Sequence, residues 1–213
     1  MLLALLPPGD RRAQLSLQQR RLPPLRRGPQ TVLSWTLILA RYGSELVDGC
    51  GNFGTLMSLH ESHESLTIQA CGEVEIDDGL EWLEDDSLAP RMFLRETPLT
   101  RCNGQMRALA ERRMKNGVSR QALQEFSIDL LERMPYTPGS TTVTTAATEA
   151  FLLGKGVCQD HTHVFLACAR ALGVPARYVS GYLLTDSAQH LASHAWAEAW
   201  LDGRWYVFDV SNT

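Results

Sequence analysis

Cys158 stands directly after the Gly154-Lys-Gly156-Val157 turn and opens a run of helical character that ends at Leu172-Gly173. The first turn of a helix carries unpaired N–H groups and partial positive charge, and both favour a thiolate over a thiol. The thiolate is the nucleophilic form of cysteine. Downstream, His194 lies in one strand-like run and Asp209 in another. Cysteine, histidine and aspartate together supply a nucleophile, a general base and a group that orients the base, the set needed for acyl transfer.

Each of these residues also has a plainer use. A single cysteine is most often a small packing residue, and Cys168, ten positions further along the same helix, reads as one. Cys50, Cys71 and Cys102 have no nucleophile-like setting. His194 shares a strand face with Trp196, Glu198 and Trp200 and could be an interface residue; Asp209 could be a strand-end turn former. Asn212 could orient the histidine in place of Asp209 if the strand register differs. Cys158, His161 and His163 suggest a metal, but one helical turn rarely gathers enough ligands and no second cluster is visible, so no metal and no cofactor is expected.

The elements that must position these side chains divide the chain in two. Residues 1–30 are proline-rich and read as irregular, with a possible edge strand from Gln14. Thr31–Leu39, Gly54–Leu59 and Ser65–Ile76 have strand character, with a turn cluster at Asp48–Gly54. Residues 77–100 read as a connection, so 1–100 is expected to be a β domain and its exit. From there helices take over: Asn103–Lys115, a second capped by Ser119 with Leu123, Phe126, Leu130 and Met134 at helical spacing, Thr145–Leu153, and the helix of Cys158. That last helix is expected to bury one face, carrying Thr162, Phe165, Ala169 and Leu172. Strands follow at 177–184, 194–201 and 204–210, the last two joined by Asp202-Gly203, a two-residue hairpin turn. This hairpin would let His194 and Asp209 meet across the ladder.

With 213 residues, 44% hydrophobic and 21% charged, the chain can bury a real core, and a net charge of −4 offers no electrostatic case for nucleic acid or an anionic membrane. An odd number of cysteines without C-x-x-C spacing argues against a disulfide framework and for a reducing, cytoplasmic compartment. The N-terminal apolar run is short and has no basic residue before it, so it is not read as a signal peptide, and no run is long enough for a membrane span.

Four blocks, Gly156-Val-Cys158-Gln-Asp-His161, Gly173-Val-Pro-Ala-Arg177-Tyr-Val-Ser-Gly-Tyr182, Ser193-His194-Ala-Trp196-Ala-Glu198 and Phe208-Asp209-Val-Ser-Asn212, resemble the bacterial transglutaminase-like cysteine protease family. Tyr136–Thr145 fits the same pattern, and Val32–Trp35 with Asp48–Asn52 resembles that family's N-terminal β domain. The resemblance runs from about Gln14 to the end of the chain. It implies an α+β fold: a papain-like, transglutaminase-like core of helices packed on an antiparallel sheet over residues 101–213, preceded by a small antiparallel β domain. It also implies Cys158 as nucleophile, His194 as base and Asp209 as third member. Three departures stand out. Met1–Arg12 does not resemble the family's first strand; Asp209-Val-Ser-Asn212 replaces Asp-Pro-Thr-Asn; and the chain stops four residues after Asp209, where further strands are implied, so an unpaired edge is expected there.

The function expected is therefore thiol-dependent acyl transfer or hydrolysis at a carboxamide of a protein or peptide, through a thioester. The Cys158 N–H, with Tyr136 as a candidate second donor, would hold the oxyanion. Trp196, Trp200 and Tyr182 are candidate walls that would exclude water. The alternative is a non-catalytic binding or scaffold protein that keeps the fold with an incomplete site.

Overall fold

The computed structural model describes residues 2–4, 16–18, 30–38, 43–48, 53–57, 67, 69–76, 88–182 and 193–213. Their contacts separate two units, Met1–Ser87 and Leu88–Thr213. No helix among the described residues is long and apolar enough to cross a membrane.

Among the described residues the first unit has six strands, β1 (Leu2–Ala4), β2 (Ser16–Gln18), β3 (Gln30–Ile38), β4 (Ser44–Val47), β5 (Phe53–Leu56) and β6 (Gln69–Ile76). They form three antiparallel pairs, β1 with β2, β3 with β6 and β4 with β5. The β-branched and aromatic text of β3 suits its long ladder with β6, which shifts register between Val32 and Ser34. Leu2–Ala4, expected to be irregular, pairs with Ser16–Gln18 as a short strand. The turn cluster around Cys50 and the proposed start of the last strand at Ser65 lie outside the described residues.

The second unit opens with two short 3-10 turns, Pro90–Leu94 and Pro98–Thr100. Residues 88–100, read from the sequence as part of a connection, lie with this unit. Phe93 meets Trp205 edge-on with ring centres 5.3 Å apart, and the Arg170 guanidinium donates to Thr100 Oγ1 at 2.9 Å. Four helices follow, α1 (Gly104–Arg113), α2 (Arg120–Arg133), α3 (Ala147–Leu153) and α4 (Cys158–Ala171). The Asn103 side chain caps α1 by accepting from the Met106 N–H, and Ser119 caps α2 by accepting from the Ala122 N–H. Three strands complete the unit, β7 (Ala176–Tyr182), β8 (Ser193–Leu201) and β9 (Arg204–Phe208), in one antiparallel sheet with β8 in the middle. Asp202 and Gly203, at φ of 51° and 85°, make the tight turn between β8 and β9, as their types require.

Helix α4 is the centre of this unit. The other three helices and strands β7 and β8 all pack on it. Every residue from Asp160 to Ala169 is buried, so the expectation of one buried face is corrected: α4 is enclosed on all sides and Leu172, expected in the core, is only partly covered. Phe165 of α4 stacks on Phe208 at 5.1 Å and meets Phe126 of α2 at 6.0 Å. Each such ring contributes roughly 1.5–3 kcal/mol by leaving water. This packing sets the start of α4 against the sheet and thereby places Cys158.

Candidate active site

The turn before Cys158 is shaped by a carboxylate. Asp160 Oδ2 accepts from the Val157 N–H at 2.8 Å and from Thr141 Oγ1 at 2.6 Å, closing the start of α4 and tying the Thr-rich loop to it. A Cβ at position 156 would come within 2.7 Å of Asp160 Cβ and 2.8 Å of its Oδ2. Gly156 is thus required by the folded-back Asp160, a reason that spacing alone does not disclose. Gln159 Nε2 also donates to the Val143 carbonyl at 3.1 Å, a second tether for the loop beside the cysteine.

His194 is almost covered, 9% exposed, and its Nε2 lies 2.7 Å from Asp209 Oδ2. The carboxylate only accepts, so Nε2 carries the proton and the Nδ1 lone pair is the one able to take another. The two residues do not sit opposite each other in the ladder as expected. β9 ends at Phe208, paired with Ala197, and Asp209 caps the 3-10 turn Val210–Asn212 just beyond it. The contact is therefore made past the strand end. Asn212 Nδ2 donates to the same Asp209 Oδ2 at 2.9 Å and lies 3.2 Å from His194 Nε2, so both residues considered for orienting the imidazole stand beside it.

Cys158 is half-buried. Burial pushes its thiol up from the ordinary value, and the negative charge of Asp209 adds to the rise; the N–H groups of Ala195, Gln159 and Cys158 itself pull the other way. The helix start favours the thiolate and desolvation opposes it. Strand β8, which carries His194, and the 3-10 turn that follows Asp209 both pack on the helix that Cys158 opens. Tyr136 is also close. Its hydroxyl is pushed up by burial and then by the Cys158 charge.

Of the three aromatic walls expected, Trp196 is at the site, its ring 6.0 Å from that of His194 and inclined by 30°. The indole lies over Gly181, the residue paired with His194 on β7; a Cβ there would stand 2.6 Å from the ring. Trp200 instead packs on Trp205 at 5.4 Å, six residues along β8 from His194 and so roughly 20 Å away. Tyr182 is paired with Ser193 in the ladder. His161, considered as a metal ligand, has both ring nitrogens within hydrogen-bond reach of protein groups, Ser211 Oγ at 2.8 Å and the Met134 carbonyl at 2.7 Å. Ser211 was not singled out by spacing; its only sequence signal is its place between Asp209 and Asn212.

A cysteine at the head of a buried central helix, beside a histidine–aspartate pair on an antiparallel sheet, is the scaffold of the papain-like cysteine enzymes. The chain belongs to the transglutaminase-like superfamily. Residues 107–210 match the model of that superfamily's core, and residues 10–75 match the bacterial transglutaminase-like N-terminal region. An uncharacterised protein of Mycobacterium leprae is 30% identical over 218 aligned positions, which cover 94% of this chain and 78% of that protein. Among solved structures, a candidate cysteine protease from Cytophaga hutchinsonii aligns with a TM-score of 0.72 at 23% identity, over 92% of this chain and 71% of that one. The periplasmic domain of TgpA from Pseudomonas aeruginosa aligns with a TM-score of 0.55 at 19% identity, over 98% and 86%. These likenesses show the transglutaminase-like fold, helices with antiparallel sheets.

Proposed function

We propose that the protein performs thiol acyl transfer at a carboxamide of a protein or peptide, with Cys158 as nucleophile, His194 as base and then acid, and Asp209 as the group that orients His194. The observation that carries this reading is the 2.7 Å His194–Asp209 contact, held on a strand and a turn that both pack against the helix opened by Cys158. His194 Nδ1 takes the thiol proton as the sulfur attacks the carbonyl carbon. The oxyanion is held by the Cys158 N–H and the Tyr136 hydroxyl. Collapse of the tetrahedral intermediate breaks the C–N bond, His194 returns the proton to the departing amine, and a thioester remains on Cys158. Water then yields a hydrolase, and a primary amine yields a transglutaminase. The chemistry belongs to the core proposed for residues 101–213. The odd number of cysteines without C-x-x-C spacing supports the further proposal of a reducing, cytoplasmic setting.

The raised Cys158 thiol favours a second reading, a binding scaffold with an idle cysteine. Incubation with a glutamine-containing peptide library and a tagged primary amine, read by mass spectrometry, separates the two. Tagged or cleaved peptides that disappear in Cys158→Ala support acyl transfer and name the acceptor. Peptides retained but unmodified, equally by wild type and variant, establish the scaffold.

A further inference from the structure

Asp209 lies beyond the last ladder pair of β9, so no strand bond fixes its carboxylate. Buried Val210 anchors the turn that follows, but the direction of the carboxylate depends on side-chain bonds, and these lead to a second histidine. His161 is 1% exposed and lies three residues after Cys158 on α4. Its Nε2 faces the Met134 carbonyl at 2.7 Å. A carbonyl only accepts, so Nε2 carries the proton and Nδ1 is an acceptor. Ser211 Oγ, 2.8 Å from Nδ1, therefore donates to it. The backbone N–H of the same Ser211 donates to Asp209 Oδ1 at 3.2 Å, while Asp209 Oδ2 takes the His194 Nε2–H. Burial pushes His161 below the ordinary histidine value, against the opposing pull of the Met134 carbonyl, Asp160 and Asp209, and so keeps the Nδ1 lone pair available.

We propose that His161 is a positioning residue which, acting through the Ser211 hydroxyl, holds the Asp209 carboxylate in line with His194 and so couples the helix of the nucleophile to the acid of the triad. The inference deepens the acyl-transfer reading and rests on it. His161 touches no reacting atom; it anchors the Val210–Asn212 turn to the end of α2 and to α4 at once.

The two nitrogens can be tested apart. His161→Asn keeps a polar acceptor at the δ position and loses the bond to Met134; His161→Gln keeps the ε donor and loses the acceptor for Ser211. Ser211→Ala removes the hydroxyl, and Ser211→Thr restores it. The readout is the rate of iodoacetamide alkylation at Cys158 as a function of pH, with thermal midpoints measured alongside. Ser211→Ala and His161→Gln are expected to slow alkylation at neutral pH about fivefold or more, the factor matching one hydrogen bond of ordinary net strength, and to move the profile toward that of His194→Ala. Ser211→Thr and His161→Asn are expected to recover the wild-type profile, although His161→Asn lowers the thermal midpoint as much as His161→Gln does. Wild-type profiles in Ser211→Ala and His161→Gln, with His194→Ala still slowed, would overturn the positioning role and leave the triad standing. Identical profiles in wild type and His194→Ala would instead overturn the acyl-transfer reading itself. Should either His161 variant not fold, the half-buried Ser211 pair decides alone.

Discussion

At Cys158 the balance of forces is set by neighbours that residue type alone could not reveal. Three N–H groups favour the thiolate, yet burial and the Asp209 charge prevail, so ionisation depends on a base held in place. Trp196 helps to hold it, and the space for its ring is Gly181. Gly181→Ala is therefore expected to push the indole toward His194, lower Cys158 reactivity several-fold, and cost about 1–3 kcal/mol of stability as overpacking, measurable by alkylation rate and urea unfolding. His161 and His163 make a second prediction. Burial lowers both from the ordinary value of 6.5, so below that value the unfolded chain binds protons that the folded one does not. Their contribution to stability is present above pH ~6.5 and is lost as the pH falls toward the folded values. The thermal midpoint is expected to drop between pH 7 and pH 5, and less so in His163→Phe. The types and order of Cys158, His194 and Asp209 single them out as candidates, whereas the roles of Asp209 and Asn212 turn on geometry past a strand end that spacing does not give. Nor was Ser211 legible as a partner of His161, fifty residues away, since only tertiary packing brings them together.

Ser119 caps α2 as its position in the sequence suggests, and Asp202-Gly203 turns the hairpin as expected; Asn103, expected inside the first helix, instead caps it. Spacing predicts one buried face for α4, with Thr162 on it, because Asp160, His161 and His163 are residue types that usually face solvent. In the fold they are buried, with Thr162 Oγ1 bonded to the Cys158 carbonyl at 2.7 Å and His161 to Ser211 and Met134. Polar residues that find partners inside, as His161 and Thr162 do, defeat a periodicity argument. The start of this helix depends on Asp160. Asp160→Ala removes its bonds to Val157 and Thr141 and is expected to destabilise the protein by about 1–2 kcal/mol, read by urea unfolding. It is also expected to raise the protease sensitivity of the loop 140–145; an unchanged midpoint and an equally resistant loop would show that the cap is dispensable.

For the molecule as a whole, the sequence pattern showed strands giving way to helices near residue 100, and the α+β class with a core of helices on an antiparallel sheet was implied by the family resemblance. The position of residues 88–100 was not readable, because short proline-led turns look like a linker until their contacts with Arg170 and Trp205 are seen. The main hydrophobic cluster, from Met106 to Val210, lies wholly within the second unit. A fragment of residues 88–213 is accordingly expected to melt in one cooperative transition, followed by circular dichroism; a broad, non-cooperative loss of signal would show that the first unit is needed for the core. The central claim is that Cys158 is activated by the His194–Asp209 pair. The most direct test is the pH dependence of iodoacetamide alkylation at Cys158, located by peptide mass mapping, in wild type and His194→Ala. If the pair activates Cys158, the wild type reacts at clearly lower pH than His194→Ala, because only the wild type has a base to take the thiol proton. Superimposable curves would contradict it.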